Sequence, residues 1–263
     1  MNFESMKAVI IGAGNVGTHM AIALKQQGVH IQQIVSRTMK SAVELASKME
    51  CAFTTDISEV YTQADIYFVC VSDRAIQQVI RQLNVGDKLI IHASGSIGID
   101  VFYDSAQNYG VVYPMQTFSK FKDINYSEIP FFIEANSSEN EAVLYNFLKK
   151  ISPHVSVANS QQRCIIHLCA VFACNFTNHM CTISEKLLKE QKIKFDVFKP
   201  LLRETFDKIT RYSPYISQTG PAMRNDTQVI NKHLDVLSEF PEIQEIYRVV
   251  SQNIISTHSK SEE

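Results

Sequence analysis

The chain has 263 residues, of which 45% are hydrophobic and 20% charged, and its formal net charge is -2. This composition is ordinary for a globular protein and excludes disordered, collagen-like and coiled-coil chains. A near-neutral charge without a dense Lys/Arg block gives no electrostatic basis for binding nucleic acid or an anionic membrane, so we expect neither partner. The length allows one large domain or two smaller ones, and we expect two.

The first part of the chain alternates short β-rich runs with helical segments, a pattern typical of a parallel sheet covered by helices. The predicted strands are Ala8–Ile11, Ile31–Val35, Ala52–Thr54, Ile66–Val71, Lys88–His92, Val111–Tyr113 and Phe131–Ile133. Strand signals stop after Ser156, and helical patterns follow. We therefore predict an α/β domain over residues 1–156 and an all-α domain over residues 157–263, which begins with a helix from Ser160 to Glu190.

The cysteines and the apolar segments indicate the cellular compartment of the protein. Six cysteines occur without a Cys-x-x-Cys pair, which predicts buried, reduced thiols rather than disulfides or a metal site. The N-terminal residues lack the charged-then-apolar plan of a signal peptide. The most apolar region, from Cys164 to Cys181, is interrupted by polar residues, so we expect no membrane span and a cytoplasmic protein.

Three glycines form a G-x-G-x-x-G motif between the first strand and the helix that follows it. Gly12 permits a tight turn, Gly14 lets a ligand approach the backbone, and Gly17 allows close packing of helix on strand. With Asn15 and Val16 at the start of the helix, they predict an anion site for the pyrophosphate of a dinucleotide. The motif therefore predicts a Rossmann-type, doubly wound, mainly parallel sheet. A merely structural glycine turn, or another nucleotide-like ligand, is the alternative.

The end of the second strand indicates which dinucleotide binds. NAD sites place Asp or Glu there, whereas this chain has Ser36, Arg37 and Thr38. A guanidinium beside two hydroxyl groups suits a 2′-phosphate, so the predicted cofactor is NADP. In the alternative interpretation, Arg37 is a solvated loop charge and the two hydroxyl residues only cap the next helix.

Further strand ends are expected around the nicotinamide half, because ligands of open α/β sheets lie beyond the carboxyl ends of the strands. Val71, Ser72 and Ser94 are the candidate contacts there. Asp73 is interpreted as an N-cap rather than a catalytic group. His92 is interpreted as a hydrogen-bonded core histidine rather than an acid or base.

Four segments carry a resemblance to known proteins. They are Gly12–Gly17, Tyr113–Ser119, Arg163–Phe176 and Thr219–Asp226, the last leading to His233-Leu. The N-terminal half resembles the NADP-binding domain of pyrroline-5-carboxylate reductases and deazaflavin-dependent NADP reductases. The whole chain looks like an uncharacterised type of bacterial NADP oxidoreductase, whose helical domain is similar to the dimerising domain of the 6-phosphogluconate dehydrogenase superfamily. Tyr113 departs from the pattern, because relatives have His before the Pro.

Polar side chains in these segments are the candidate catalytic and substrate-binding groups. His167 and Asn175 lie two turns and about 80° apart on a regular helix, so both can border one cleft. They are candidate catalytic residues together with Tyr113, and His167 or Tyr113 is the expected proton donor. The candidate substrate contacts are Gln116, Thr219, Gly220 and Arg224. For each of these side chains a structural role, in the core, in a loop or at the surface, remains the alternative.

These observations predict an NADP(H)-dependent oxidoreductase that transfers hydride to or from a small carbonyl or imine substrate in a cleft between the two domains. Two alternatives stay open: hydride exchange between NADP and a deazaflavin, and a non-catalytic NADPH-binding sensor or scaffold. The apolar content of the long helix predicts a homodimer through the helical domain.

Overall fold

The computed structural model describes residues 5–259. By its contacts the chain forms two compact units, one ending at Asn175 and the other beginning at Phe176. The strands end at Val157 and the long helix begins at Ser160, so the change from α/β to helical structure precedes the division between the units. The predicted domain boundary at residues 156 and 157 follows the change in secondary structure, and it stays a prediction.

The first unit contains one sheet of eight strands. The strands are β1 Lys7–Ile11, β2 His30–Val35, β3 Ala52–Thr54, β4 Ile66–Val69, β5 Leu89–His92, β6 Asn108–Pro114, β7 Phe131–Ala135 and β8 Val155–Val157. Their order in the sheet is β3-β2-β1-β4-β5-β6-β7-β8, and every pair is parallel except β6 with β7. The predicted Rossmann-type, mainly parallel sheet is confirmed. Sequence reasoning missed β8, which has only three residues, two of them exposed.

The first strand shows why these segments lack polar alternation. Ala8 and Ile10 pack in a hydrophobic cluster on one face of the sheet. Val9 and Ile11 pack in a second cluster on the other face. Helices cover both faces of a doubly wound sheet, so successive side chains of a central strand are all buried. Chain order reverses between β1 and β4, and a ligand crevice is expected there, beyond the carboxyl ends of the strands.

The described part of the first unit contains five α-helices. They are α1 Asn15–Gln26, α2 Met39–Met49, α3 Asp73–Gln82, α4 Ser138–Leu148 and α5 Ser160–Ala170. Of these, only α4 and α5 begin with a side-chain cap hydrogen bond. Ser137 caps α4 by accepting a hydrogen bond from the Asn140 N–H. The interpretation of Asp73 as an N-cap is wrong. Ser72 occupies the cap position, and the Asp73 carboxylate accepts a 2.5 Å hydrogen bond from the Ser96 hydroxyl.

The predicted helix from Ser160 to Glu190 is present, but it is not regular throughout. A π-helical segment, Val171–Phe176, separates α5 from α6, which spans Thr177–Glu190. Each residue of a π turn rotates through less than the 100° of an α-helical residue. The segment therefore reduces the angle between His167 and Asn175 below the 80° expected for a regular helix. Insertions of this kind are frequent at functional sites.

The second unit is helical in its described part. After α6 it contains α7 Lys199–Arg211, α8 Thr227–Val236 and α9 Pro241–Ser259. Asp226 caps α8 by accepting a hydrogen bond from the Val229 N–H. Pro200 lies in the first turn of α7, where a proline costs no helical hydrogen bond.

Two expectations about the long helix need correction. Residues Ser160–Glu190 are long and apolar enough, by length and composition alone, to cross a membrane, although we expected no such segment. All six cysteines are free, but Cys164, Cys169 and Cys174 are exposed rather than buried. The first correction follows from the length and apolar composition of the helix, and the second from the exposure of its cysteines within a single chain.

Candidate active site

Two glycines of the motif, Gly12 in the loop after β1 and Gly17 in α1, are in close contact with neighbouring backbone. Gly12 has a φ of 109°, and a Cβ there would lie 2.3 Å from the carbonyl oxygen of Cys70. A Cβ at Gly17 would lie 1.8 Å from the carbonyl oxygen of Gly12. At Gly14, by contrast, a Cβ would meet nothing within 4 Å. The loop is therefore packed tightly on the sheet side and open at Gly14.

The open side of this loop suits a phosphate group. Gly14 occupies the N-cap position of α1 and offers no side-chain hydrogen bond, and the first turn contains no acidic residue. The N–H groups of the first turn have no helical acceptor, and the helix dipole favours negative charge beside them. Asn15 is exposed and Val16 half-buried at this end of the helix. The residues therefore fit the pyrophosphate of a dinucleotide, and their contacts with the cofactor stay predictions.

The carboxyl end of β2 lies next to this loop, since the Gly12 N–H donates a 2.7 Å hydrogen bond to the Val35 carbonyl. Ser36, Arg37 and Thr38 follow, and Arg37 forms no ion pair with any residue that the structure describes. Thr38 occupies the N-cap of α2 without a side-chain cap hydrogen bond, and no acid lies in the first turn. A guanidinium and hydroxyl groups thus remain for an anionic ligand, which fits a 2′-phosphate.

The ends of β4 and β5 carry the predicted contacts to the nicotinamide half. Ser72 is exposed and Val71 is half-buried. Ser94 is buried, and its hydroxyl oxygen accepts hydrogen bonds of 3.1 Å from the N–H groups of Ser96 and Ile97. The Ser94 side chain therefore shapes the loop after β5, and its predicted cofactor contact stays a prediction.

His92, at the end of β5, has a structural role. Its ring is fully buried, stacks on Phe102 with centroids 5.5 Å apart, and accepts a 3.2 Å hydrogen bond at Nδ1 from the Ser94 N–H. Burial, and secondarily the positive charge of Arg163, lowers the pKa of His92 to about 4. The ring is therefore neutral near pH 7, in agreement with the interpretation of His92 as a core histidine.

Tyr113 and His167 form the polar pair of the candidate active site. The Tyr113 hydroxyl lies 3.2 Å from Nδ1 of His167, and the two rings meet edge to face with centroids 5.8 Å apart. Tyr113 lies near the carboxyl end of β6, whereas His167 belongs to α5. Burial, and secondarily the nearby Cys174 thiol, raises the pKa of Tyr113, so the phenol keeps its proton at neutral pH.

Gly95 brings the loop after β5 against the same histidine. A Cβ at Gly95 would lie 2.8 to 2.9 Å from Cβ, Cγ and Nδ1 of His167, so only glycine permits this approach. The pair therefore lies against the loop that follows β5, on the side of the sheet where its strands end. Sequence reasoning singled out Ser94 but not the adjacent Gly95, and it did not single out Cys174.

Among the described residues of the first unit, no hydrogen bond joins another predicted site residue to this pair. Asn175 is exposed in the π-helical segment. Gln116 is exposed, and its Oε1 accepts a 2.7 Å hydrogen bond from the Thr117 N–H. The other three, Thr219, Gly220 and Arg224, belong to the second unit, where Thr219 and Arg224 are exposed and Gly220 has a φ of 107°. Their roles as catalytic or substrate-binding residues stay predictions.

Two family models match the chain. Residues 7–95 match the family described as NADP oxidoreductase coenzyme F420-dependent. Residues 129–254 match a domain family of unknown function, DUF2520. The first match contains the glycine loop and the end of β2, and the second contains His167.

Solved structures resemble the whole chain. A Bacteroides fragilis protein assigned as an NADP oxidoreductase is 42% identical, with a TM-score of 0.91 over 97% of this chain and 100% of its own. An imine reductase from Myxococcus stipitatus in complex with NADP+ has a TM-score of 0.63 at 15% identity, over 97% of this chain and 93% of its own. A 1-pyrroline-5-carboxylate reductase from Streptococcus pyogenes has a TM-score of 0.63 at 12% identity, over 96% and 99%. At these lower identities the likeness shows the fold.

A curated relative matches about a third of the chain. It is a glycerol-3-phosphate dehydrogenase [NAD(P)+] from a Thermoanaerobacter species, 31% identical over 107 residues. The match covers 36% of this chain, and the chain spans about a third of that relative's length, 32%. The full-length match at 42% identity is the decisive one. With the glycine loop and the basic end of β2, it shows that the chain belongs to a family of NADP oxidoreductases with an F420-dependent-type nucleotide domain and a DUF2520 domain.

Proposed function

We propose that the protein is an NADP(H)-dependent oxidoreductase that transfers hydride between NADP and a small carbonyl or imine compound. The observation that carries the proposal is the Tyr113–His167 pair, which lies against Gly95 on the side of the sheet where NADP is expected to bind. A hydroxyl and an imidazole in contact can exchange a proton, and reduction of C=O or C=N requires one proton for each hydride.

The nucleotide-binding residues are assigned from their geometry. Free N–H groups at Asn15 and Val16, beside Gly14, would hold the pyrophosphate. Arg37, with Ser36 and Thr38, would hold the 2′-phosphate that distinguishes NADP from NAD. Bound NADPH supplies the hydride, and the protein supplies orientation and the proton.

Tyr113 is suited to deliver the proton. Its pKa is raised by burial, so the hydroxyl is protonated at neutral pH and can donate to a developing alkoxide. Nδ1 of His167 lies 3.2 Å from the Tyr113 hydroxyl, so the imidazole can share the phenol proton or replace it after transfer. A protonated imine already carries its proton and needs less help. The pair therefore matters more for ketone reduction than for imine reduction.

The test is a panel of cyclic imines, 2-oxo acids and ketones, with NADPH oxidation as the readout. We expect turnover of at least one class. In Tyr113→Phe, kcat for a ketone should fall about 10²-fold or more, whereas NADPH affinity stays within twofold. Tyr103→Phe is the matched control, because Tyr103 is 61% exposed and lies outside this pair.

Two outcomes would overturn the proposal in favour of the open alternatives. Hydride exchange with a deazaflavin, without turnover of any panel compound, would identify a cofactor reductase. Tight NADPH binding without turnover of either kind would identify a sensor or scaffold.

Cofactor choice has its own test. Arg37→Ala should weaken NADPH binding by about ten- to a hundredfold and leave NADH binding nearly unchanged, because only NADPH carries the 2′-phosphate. Arg81→Ala removes an equal charge from the last turn of α3 and should change neither affinity. Equal affinities of the wild type for NADPH and NADH would contradict the assignment.

We further propose that the protein is a cytoplasmic homodimer, paired through its helical part. The support is the uncovered apolar surface of the long helix, where Ile165 and Leu168 are 55% and 48% exposed. A bilayer is the poorer partner for this helix, because it contains the buried guanidinium of Arg163 and the polar side chains of His167 and Asn175. Light scattering at micromolar concentration should give twice the chain mass of 29.8 kDa, and a monomeric mass would contradict the proposal.

A further inference from the structure

Arg163 is the largest fully buried side chain of the described residues, with an exposure of 0%. Its guanidinium forms a 2.5 Å ion pair with Glu134. It also donates hydrogen bonds of 2.6 Å to the Ile97 carbonyl, 3.3 Å to the Ser94 carbonyl and 3.4 Å to the Ser160 hydroxyl. A buried ion pair contributes little to stability compared with apolar packing, so these contacts need another explanation.

The contacts of Arg163 join two elements of the site. Ser94 and Ile97 belong to the loop after β5, whereas Arg163 lies in the first turn of α5, where Asn159 is the cap. Ser160 strengthens the joint, because its hydroxyl donates to Glu134 at 2.7 Å and accepts from the Ile99 N–H at 2.9 Å. The loop is thus tied to the start of α5 by a guanidinium that reaches two of its carbonyl groups.

The opposite side of the same loop is tied to the neighbouring strand end. The Ser96 hydroxyl donates to Asp73, the first residue of α3, and lies 3.3 Å from the Ser94 hydroxyl. A series of hydrogen bonds therefore connects the turn after β4, the turn after β5 and helix α5. Residues Ser94–Gly98 are therefore held from both sides.

His167 lies four residues after Arg163, one helical turn along the same face of α5. The bonds of Arg163 draw this face onto the loop, and the Gly95 backbone then packs directly against the His167 ring. The hydroxyl of Tyr113 lies 3.2 Å from the same ring. The distance between the two site residues thus depends on how α5 is seated on the loop.

We infer that Arg163 is a positioning residue, which seats α5 on the loop after β5 so that His167 is held between Gly95 and Tyr113. The expected effect of Arg163 on kcat rests on the proposed function. The placement of the ring is a separate statement and can be tested without a substrate. Arg163 itself touches neither His167 nor Tyr113 through any of its hydrogen bonds.

The test compares Arg163→Met, Arg163→Lys and a variant that matches their loss of stability. Gln33→Met serves as that control, because Gln33 is also buried and bonds to loop backbone at Glu59 and Tyr61, but lies on β2. The first readout is the ring ¹⁵N spectrum of histidine-labelled, NADPH-loaded protein, with His167 assigned from the signal that His167→Gln lacks. The second is kcat and KM on the best compound of the panel.

We expect both Arg163 variants to shift the His167 ring signals. In Arg163→Met kcat should fall about tenfold or more, and in Arg163→Lys it should fall less. Lys keeps the charge but cannot reach all four acceptors of Arg163, since it lacks the fixed planar geometry of a guanidinium. Gln33→Met should lower the melting temperature and leave the His167 signals and kcat in place.

Unchanged His167 signals in a folded Arg163 variant would overturn the inference. If Arg163→Met does not fold, Ser160→Ala takes its place, since it removes one contact of the same joint, and an unmoved His167 signal there would be equally decisive. Shifted signals without turnover of any substrate would leave the positioning inference intact and count against the proposed function alone.

Discussion

The two units of the chain bury their apolar residues very differently. In the first unit, two hydrophobic clusters fill both faces of the sheet, and side chains such as Ile10, Phe68 and Phe147 are at most 1% exposed. In the described part of the second unit only four residues are buried, namely Ala222, Ile230, Leu237 and Ser251. Large apolar side chains there stay exposed, including Leu201 at 58% and Ile216 at 79%.

The difference shows what each unit needs in order to be stable. A sheet covered on both faces by its own helices completes its core within one chain. A set of helices with this much exposed apolar surface does not, since monomeric proteins rarely leave large contiguous apolar patches in water. The comparison therefore supports the homodimer proposed above, in which a second copy would cover this surface. Four predictions test the difference between the units, beginning with the largest expected effect.

The glycine loop is where the first unit tolerates least change. In Gly12→Ala the new Cβ would overlap the Cys70 carbonyl and the residue would keep a φ of 109°, so we expect a loss of at least about 3 kcal/mol of unfolding free energy. Gly14→Ala is the matched variant, because its Cβ meets nothing within 4 Å. It should unfold like the wild type in urea and bind NADPH more weakly. Similar stabilities of the two variants would contradict this account.

A charge in the helical unit should be costly only if that surface is covered. We expect Leu201→Glu to convert the proposed dimer to a monomer and to lower the apparent stability by about 2 kcal/mol, because a partner chain would bury this leucine, which is 58% exposed in the single chain. The control is Phe121→Glu in the first unit, where the side chain is 92% exposed and the change should stay within about 0.5 kcal/mol. Light scattering and thermal melting measure both effects. If Leu201→Glu changed neither the mass nor the melting temperature, this surface would not be covered by a partner chain.

The sequence predicted the first unit better than the second. Apolar runs, glycine spacing and the change of period after Ser156 indicated the strands, the cofactor loop and the long helix, because these depend on local pattern. The π-helical segment at Val171–Phe176 was not predicted, since no residue type there requires it. The contact of Gly95 with His167 was also missed, because it joins residues that are distant in the chain and depends on how α5 packs.

His92 gives the core of the first unit a measurable pH dependence. Its pKa is about 4 in the folded protein, against an ordinary value of 6.5. Between these values the unfolded chain binds a proton that the folded chain does not, so stability falls as pH falls from 6.5 towards 4, by up to about 3 kcal/mol. His92→Asn keeps an acceptor for the Ser94 N–H and removes the titration. Its unfolding free energy should therefore depend less on pH across this window, and parallel curves for the two proteins would contradict the assignment.

Helix caps give the smallest effect and connect stability with binding. Ser137 and Asp226 each accept a hydrogen bond from a first-turn N–H, one in each unit, so replacement of either by Ala should cost about 1 kcal/mol in urea unfolding. Thr38 occupies the same position in α2 but makes no such bond. Thr38→Ala should therefore change stability by only a few tenths of a kcal/mol.

Thr38→Ala should instead change the binding of the cofactor. A hydroxyl that caps no helix is available to the 2′-phosphate beside Arg37, and its loss should weaken NADPH binding while NADH binding is unaffected. Fluorescence titration of the two nucleotides measures this difference. If Thr38→Ala cost as much stability as Ser137→Ala and left NADPH affinity intact, Thr38 would be an ordinary helix cap, and the end of β2 would lose one of its three proposed phosphate contacts.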